Sequence, residues 1–467
     1  MSTGASAARV GGLGPSLFGQ REEARAMAHR ALDKILDELE RQGEGRPTLR
    51  DLSERLMVSR LELLATCLET ALKRQYAADL KQKEALCQCG QTVRTWRSDP
   101  KEVSTLHGRI TLIRPYFYCR ACGRGFHPVD TKLQLADGIH QFDIQERTTS
   151  LGAEMPFELS ETQFERLTGV KASSHFIHGT LNAVGEAATL ENVVPSAEEM
   201  SRRIEDARGS SRRRPVLVVA CDGAHAPTRP AGGRRKKRGR GAWKEAKGVR
   251  VYLLGRDHRI IHLASWHEIG DAEQLSAAVG VIAARVPQEK VRIALVADGA
   301  EWTWNIMTRH FPAGEQILDY YHCVEHVYAT AHAQFGEDTL EAHEWTEAVI
   351  TRLCLNQLGR TVGGLRRMSP RSDVAAEEIR TLIGYLEGQF GRLGYDEVRR
   401  RGLPRGSGGI ESANKLICHV RLKRSGAWWL EANGNAMLRI RCAIYNGTFT
   451  NVFAAYTAPD SAVLASS

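Results

Sequence analysis

Three acidic residues have types and positions that suit metal-dependent chemistry. Asp222 and Asp298 each end a short apolar run and precede a glycine, in "VVACDGAH" and "LVADGAEW". Such runs predict buried strands, so we expect both carboxylates to meet at one edge of a sheet. Neighbouring carboxylates repel unless a cation is shared, and Mg²⁺ prefers oxygen ligands. The repeated pattern indicates a Mg²⁺ site, whereas either aspartate alone would also suit a turn or a helix N-cap.

Glu411 is the natural third member of such a site. It follows the glycines of "LPRGSGGIESANK" and falls in the first turn of a predicted helix with Gly408 as N-cap, where the helix dipole favours an anion. Glu301 is the rival, but its spacing from Asp298 also matches a capping box, and it would face along its own helix. Three carboxylates holding two ions could cut a phosphodiester by in-line attack.

Four cysteines form a second candidate site. Cys87 and Cys89 make one close pair, Cys119 and Cys122 another, and a predicted strand pair separates them. Four thiolates in this arrangement suit tetrahedral Zn²⁺. The first pair is C-x-C, one residue short of the usual C-x-x-C, so His127 is an alternative ligand and buried cysteine without metal is an alternative interpretation. We predict a structural zinc site.

Basic residues indicate where a polyanion could bind. The formal net charge is +9, yet residues 212 to 250 alone hold thirteen Lys or Arg against two acids. This is typical of an arm that follows phosphates, or of a solvated linker. Further basic residues precede Trp428 and Trp429, which could stack on bases or belong to the core. The predicted DNA-binding residues are Arg234, Arg235, Lys236, Lys237, Arg238, Lys415, Arg421, Lys423 and Arg424, with Ser407 and Asn414 as further candidate contacts.

Composition sets the class of protein in which these sites lie. The chain has 467 residues, of which 42% are hydrophobic and 25% charged, as in multi-domain globular proteins. No apolar run is long enough for a membrane span, and the opening residues lack the apolar core of a signal peptide. We therefore expect a cytoplasmic protein whose ten cysteines are reduced thiols or metal ligands.

Hydrophobic periodicity predicts the elements that must position these residues. In the central part it gives three strands, a helix, a strand, a helix and a strand, which indicates a mixed α/β sheet with its first three strands antiparallel. A turn at Gly169 between two helices is typical of a helix-turn-helix, or of two packed helices without a DNA contact. The predicted segments are a helical N-terminal region (1–84), a zinc ribbon-like module (85–135), a helix-turn-helix-like DNA-binding segment (136–205), a catalytic core (212–322), a helical insertion (323–400), and the last part of the core with a C-terminal tail (401–467).

Taken together, these motifs resemble those of the DDE transposases of bacterial insertion sequences, in the ISKra-type group. The resemblance covers roughly residues 110 to 455. The matching motifs are, in chain order, "DGAH", "VADGAEWTWN", "ILDYYHCVEH", "LPRGSGGIESANK", "RLKRSGAWW" and "YNG", and their order together with the glycine-rich motif before Glu411 is the strongest part of the match. It implies a ribonuclease H-like core in which Asp222, Asp298 and Glu411 hold two Mg²⁺ or Mn²⁺ ions. Such enzymes cut the element's ends and join the freed 3′ hydroxyl to target DNA.

The same resemblance implies roles for further residues and partners. Asp319 and His322 match a D-x-x-H pattern and could support the active site, or be a strand end with a structural histidine. The implied partners are double-stranded DNA, as element terminal repeats and target, and further copies of the chain in a homodimer or larger assembly on the nucleoid. No membrane is implied. The alternatives are a ribonuclease H-like nuclease without strand transfer, and a transposase-derived DNA-binding protein that is no longer catalytic.

Overall fold

The computed structural model describes residues 17–40, 46–230, 241–255 and 259–458. They form helices and two sheets, which confirms the predicted mixed α/β class. The chain divides into two compact units, the first holding residues up to 152 together with 156–180, and the second holding 153–155 and 181–456. Within the described ranges, no helix combines the length and apolar character needed to cross a membrane.

The first unit opens with helices. Asp51 and Thr48 form a reciprocal capping box that begins the second of them. Apolar residues of this helix, including Ala65, pack against Val103, Ile110 and Leu112 of the following strands. The helices are α1 (Leu17–Glu40), α2 (Leu49–Gln75) and α3 (Ala77–Leu80).

A four-stranded antiparallel sheet follows in the same unit. Its strands pair in chain order. The tight turn before the third strand needs a glycine, because Gly108 has φ +106° and a Cβ there would lie 2.7 Å from the backbone oxygen of Leu61. The strands are β1 (Glu84–Leu86), β2 (Thr92–Thr105), β3 (Gly108–Cys119) and β4 (Arg124–Phe126).

Six helices follow this sheet in the sequence and precede the strands of the second sheet. One of them ends at Gly169, which adopts the left-handed conformation (φ +76°), and the next begins at Ser174, so the turn lies where the sequence predicts it. The helices are α4 (Pro128–Lys132), α5 (Phe142–Glu154), α6 (Phe157–Thr168), α7 (Ser174–Ala187), α8 (Leu190–Val193) and α9 (Ala197–Arg208).

The second unit is built on a five-stranded sheet with the order β7-β6-β5-β8-β9. β5, β6 and β7 are antiparallel, whereas β8 and β9 run parallel to β5. This matches the predicted element order. The strands are β5 (Val216–Thr228), β6 (Ala242–Leu254), β7 (Ile260–Ile269), β8 (Arg292–Ala297) and β9 (Glu315–Leu318), and the helices between them are α10 (Ala272–Arg285) and α11 (Glu301–His310).

Helices make up the rest of the described chain. The predicted helical insertion is helical, although its first helix begins at Tyr320 rather than at 323. A π-helical turn at Lys415–His419 connects the helix Gly408–Asn414 directly to the helix Val420–Leu422. The helices are α12 (Tyr320–Phe335), α13 (Leu340–Cys354), α14 (Leu358–Arg366), α15 (Asp373–Gly388), α16 (Tyr395–Arg400), α17 (Gly408–Asn414), α18 (Val420–Leu422), α19 (Glu431–Asn446) and α20 (Phe449–Thr457).

Candidate active site and metal centre

Asp222 and Asp298 lie at the same edge of the five-stranded sheet. β5 and β8 pair in parallel as far as Ala220 and Val296, and each aspartate comes two residues later. The expectation that β5 ends at Asp222 is wrong, because the strand continues to Thr228 alongside β6. Asp222 therefore marks the point where β5 loses its parallel neighbour but keeps its antiparallel one.

Both carboxylate oxygens of Asp222 accept hydrogen bonds. Oδ1 accepts from the Gly223 backbone N–H at 2.7 Å, and Oδ2 accepts from Nδ2 of Asn414 at 2.7 Å. Asn414 Oδ1 lies 2.9 Å from Nε2 of the buried His267. Burial lowers the pKa of His267 to about 4, so a neutral ring that donates from Nε2 fixes the Asn414 amide. Asn414 is thus buried and internally bonded, and the prediction that it contacts DNA is wrong.

Negative charge surrounds Asp222. Burial raises the pKa of Asp222 to about 6, and the charges of Asp298, Glu411 and Glu245 act in the same direction. The charges that act most strongly on Asp222 are therefore all negative, which is the setting that a bound cation offsets.

Glu245 was not predicted from the sequence. It lies on β6 and forms an ion pair with Lys247. Its side chain covers Gly223 so closely that a Cβ on that glycine would lie 2.0 Å from Oε1 of Glu245. The first three strands of this sheet were predicted to be antiparallel, but the register of β5 against β6 that places Glu245 here could not be predicted.

The turn that carries Asp298 is held by helix α15. The Tyr385 hydroxyl donates to the Asp298 carbonyl oxygen at 2.9 Å, and Gln389 Nε2 donates to the Gly299 carbonyl at 3.2 Å. Gly299 has φ +118°, and a Cβ there would come within 3.1 Å of both side chains. Asp298 Oδ1 accepts from the Ala300 N–H at 3.0 Å. Neither Tyr385 nor Gln389 was predicted from the sequence.

The alternative interpretation of Asp298 as a helix cap does not hold. The N-cap of α11 is Ala300, and no side chain caps this helix. Glu301, the rival third ligand, is the exposed first residue of α11.

Glu411 lies in the first turn of α17. The N-cap is Ser407, one residue earlier than predicted, and its hydroxyl donates to Glu411 Oε1 at 3.3 Å. Ser407 is buried and used in this way, so it is not an exposed DNA contact. The buried Arg250 donates from Nη1 to the Gly409 carbonyl at 2.5 Å, which holds the start of the helix against β6.

Asp319 connects the end of β9 to the loop before Glu411. It is buried, its Oδ1 accepts from the His322 backbone N–H at 2.8 Å, and its Oδ2 accepts from the Ser407 N–H. His322 is partly exposed, and its ring contacts those of His326 and Tyr385 at 5.0 and 6.2 Å between centroids. The D-x-x-H residues thus lie beside the elements that carry Asp298 and Glu411.

The three carboxylates are too widely spaced to enclose a single ion. In the described part of the chain, the cysteine cluster is the only group of three or more His, Cys, Asp or Glu whose ligand atoms all lie within 4.8 Å of one another. In a two-ion site only the bridging carboxylate contacts both ions, so the outer ligands can be about 8 Å apart. The oxygen donors around the desolvated Asp222 carboxylate suit such a two-ion site.

The four predicted zinc ligands do come together. Sγ of Cys87 lies 3.6 Å from that of Cys122, and Sγ of Cys89 lies 3.5 Å from that of Cys119. Tetrahedral zinc–thiolate bonds of about 2.3 Å place the sulfurs about 3.8 Å apart. The Cys122 backbone N–H lowers the pKa of Cys119 to about 7, whereas the pKa values of Cys89 and Cys122 are raised, so without metal the cluster favours one thiolate, on Cys119. The cluster can bind zinc.

His127 is not part of this cluster. Its Nδ1 lies 3.0 Å from the Pro115 carbonyl oxygen, and its ring contacts Tyr116 at 5.1 Å between centroids. The C-x-C spacing is therefore sufficient to bring four sulfurs together without a substitute ligand.

The predicted basic contacts differ in their exposure. Lys415, Lys423 and Arg424 are exposed. Arg421 differs from the expectation, because it is buried with its guanidinium 5.6 Å from the Trp429 ring centroid, and burial lowers its pKa to about 10. The residues Arg234, Arg235, Lys236, Lys237 and Arg238 lie outside the described residues.

Comparisons with known proteins add little to this geometry. No protein-family model matches the sequence, and no curated protein matches it significantly. Among solved structures, the chain overlaps with a Drosophila P element transposase strand transfer complex at 9% identity and a TM-score of 0.25, over 66% of this chain and 80% of that one. This TM-score is too low to indicate a shared fold.

Proposed function

We propose that this protein is a DNA transposase of an insertion sequence, in the ISKra-type group of DDE enzymes, with a ribonuclease H-like core. Asp222, Asp298 and Glu411 are the proposed catalytic residues. The observation that carries the proposal is the convergence of two strand-borne aspartates in matching register with the short helix of Glu411, which is tied to Asp222 through Asn414. Four structural features support it.

The sheet topology is the first support. Three antiparallel strands are followed by two strands parallel to the first, in the order β7-β6-β5-β8-β9. This order is that of ribonuclease H-like domains, in which carboxylates gather where the first and fourth strands end side by side. Asp222 and Asp298 occupy those two positions.

The charge at the carboxylates is the second support. Asp222, whose pKa is raised by burial and by the charges of Asp298 and Glu411, would hold two Mg²⁺ or Mn²⁺ ions together with those two residues. Such ions supply an activated water and stabilise the charge of the attacked phosphate. Each oxygen of Asp222 accepts one hydrogen bond, from Gly223 or from Asn414, and so keeps one lone pair available for another ligand.

The access to the site is the third support. Gly406 and Gly408 flank Ser407 in the loop before Glu411, and Gly408 is exposed. A Cβ on Gly408 would meet no other atom within 4 Å, so the loop is open on that side to a DNA strand. The exposed Lys415, Lys423 and Arg424 follow in the same segment and are proposed phosphate contacts.

The cysteine cluster is the fourth support, since it indicates a zinc ribbon-like module that stiffens the β2–β3 hairpin. We extend the proposal to DNA binding by this module and by the α6–α7 turn, and to a homodimer or larger assembly, because two element ends must be joined.

An assay with the full chain tests the proposal. Candidate terminal-repeat DNA and a target plasmid are incubated with the protein and Mg²⁺, with Ca²⁺ in place of Mg²⁺ as a control. Mg²⁺-dependent products in which an element end is joined to the plasmid support transposition. Nicked DNA without joined products would indicate a nuclease, and binding without either would indicate a non-catalytic DNA-binding protein.

A further inference from the structure

A concavity with a volume of about 540 Å³ lies on the helical segment between β9 and Glu411. It is lined by residues of α13 and α14 and the residue after α14, and all of them are arginine or glycine. They are Arg352, Gly359, Arg360, Gly363, Gly364 and Arg367. None of these residues belongs to the carboxylate site.

The three arginines have no acidic partner among the described residues. No carboxylate lies within 4.0 Å of Arg352, Arg360 or Arg367 in the described ranges, although Arg360 donates to Oε1 of Gln357 at 3.2 Å. Neighbouring arginines of the same segment are paired, namely Arg366 with Glu387, Arg371 with Glu341 and Arg380 with Glu377. The concavity therefore concentrates the positive charge that the segment does not neutralise itself.

Neither backbone conformation nor packing within the fold requires glycine at positions 359, 363 and 364. α14 has only nine residues, and each of its three glycines lowers the helix propensity of the segment relative to alanine. None of the three has a positive φ. A Cβ on Gly359 or Gly364 would meet no atom within 4 Å, and one on Gly363 would meet only Nη1 of Arg367, at 3.4 Å. Glycine here leaves the helix backbone open to something from outside the fold.

We propose that this concavity binds the phosphodiester backbone of DNA, as a second contact surface separate from the catalytic carboxylates. Guanidinium forks match phosphate oxygens in bidentate geometry, and the bare glycine face lets a strand approach closely. The lining offers no aromatic or apolar wall on which a base could stack, which favours a sequence-independent backbone over a free nucleotide. This inference rests on the proposed function for its choice of DNA as ligand.

Salt-dependent DNA binding by the full chain tests this inference. The triple variant R352Q/R360Q/R367Q is compared with R366Q/R371Q/R380Q, which removes the same charge from paired arginines of the same segment. The slope of log K against log salt concentration is negative, and each lost phosphate contact makes it less steep by about 0.9. For R352Q/R360Q/R367Q we expect a slope that is less steep by about 2 to 3 and a duplex affinity that is about tenfold or more weaker at 0.15 M salt. We expect R366Q/R371Q/R380Q to bind like the wild type.

A second variant separates binding from folding. G359L/G364L adds better helix formers at two positions where a Cβ has space, so its Tm should be equal to or above that of the wild type. We expect it nevertheless to weaken duplex binding severalfold, which a merely structural role of the glycines does not explain.

Three outcomes would overturn the inference. An unchanged salt slope in R352Q/R360Q/R367Q, with Mg²⁺-dependent cleavage intact, would overturn it and leave the proposed function standing. Loss of ATP binding in that variant with unchanged duplex binding would assign the concavity to a free nucleotide instead. Absence of any DNA binding by the wild-type chain would remove the inference together with the proposed function.

Discussion

The side-chain amide of Asn414 donates to Oδ2 of Asp222 across 2.7 Å, although the two residues are 192 positions apart in the chain. This bond joins the helix that carries Glu411 to the strand that carries Asp222. His267 holds the other end of the amide. The relative position of two of the three proposed ligands therefore depends on Asn414 and His267, which are both buried.

Asn414→Asp should abolish catalysis with little change in size. The substitution replaces a donor to Asp222 by a carboxylate, next to the negative charges of Asp298 and Glu411. We expect a loss of at least 100-fold in cleavage rate and a lower Tm, because a buried polar pair is broken at a cost of about 1–3 kcal/mol. Asn305→Asp, which adds the same charge at an exposed position of α11, is the matched control for both measurements. Wild-type cleavage by N414D would show that this bond does not orient Asp222.

Asp222→Asn should remove activity, and its stability relative to the wild type should increase as the pH rises. The folded-state pKa of Asp222 is raised from 3.8 to about 6, so ionisation penalises folding increasingly from pH 4 to 6 and fully above that range. A shift of this size corresponds to about 3 kcal/mol. An asparagine can accept only one of the two hydrogen bonds that Asp222 accepts, so the test is the change with pH. Without divalent ions, we expect the Tm of D222N relative to the wild type to rise between pH 3.5 and pH 7.5. A pH-independent difference between the two proteins would contradict this explanation.

Tyr385→Phe should lower the cleavage rate about tenfold with the fold intact. The substitution removes only the hydroxyl that donates to the Asp298 carbonyl, a bond worth about 1 kcal/mol. Tyr328→Phe on α12, where the tyrosine is exposed, is the control. Because Tyr385 acts by positioning Asp298, the loss should appear in kcat rather than in DNA affinity. A change confined to affinity would instead indicate a direct DNA contact.

Zinc content should be one ion per chain and should depend on the four clustered cysteines. Cys119→Ser removes one of the two buried sulfurs and should abolish zinc binding and protection of the β2–β3 amides from hydrogen exchange. Cys67→Ser, which changes a cysteine outside the cluster, should keep the full metal content. Elemental analysis of the purified proteins makes the comparison, and equal zinc in both variants would exclude the cluster as the binding site.

Local sequence patterns predicted the strands and the helices. They also predicted that Asp222 and Asp298 lie side by side at one edge of the sheet. The apolar runs before Asp222 and Asp298 were sufficient because burial of a central strand leaves a clear sequence signal. The continuation of β5 to Thr228 was missed, since its second half alternates with polar residues that only pairing with β6 explains. Sequence spacing likewise brought the four cysteines together, because hairpin register follows from local pairing.

Long-range contacts supplied what the sequence could not. Tyr385 and Gln389 approach Asp298 from a helix almost ninety positions later, and no local pattern distinguishes them from ordinary helix residues. Arg421 was predicted at a DNA surface because it stands in a basic run, but side-chain burial is set by packing against Trp429. A basic run in a sequence shows how many charges a segment carries, but tertiary packing decides which of those side chains are exposed to solvent.

The role of Glu411 as the third metal ligand is tested by comparing Glu411→Gln with Glu301→Gln in Mg²⁺-dependent cleavage of terminal-repeat DNA. Both substitutions neutralise a glutamate in the first turn of a helix near the proposed site. We expect E411Q to lose cleavage by at least 1000-fold while binding DNA nearly as well as the wild type, and E301Q to cleave normally. Normal cleavage by E411Q together with loss in E301Q would contradict the assignment of Glu411 as the third metal ligand.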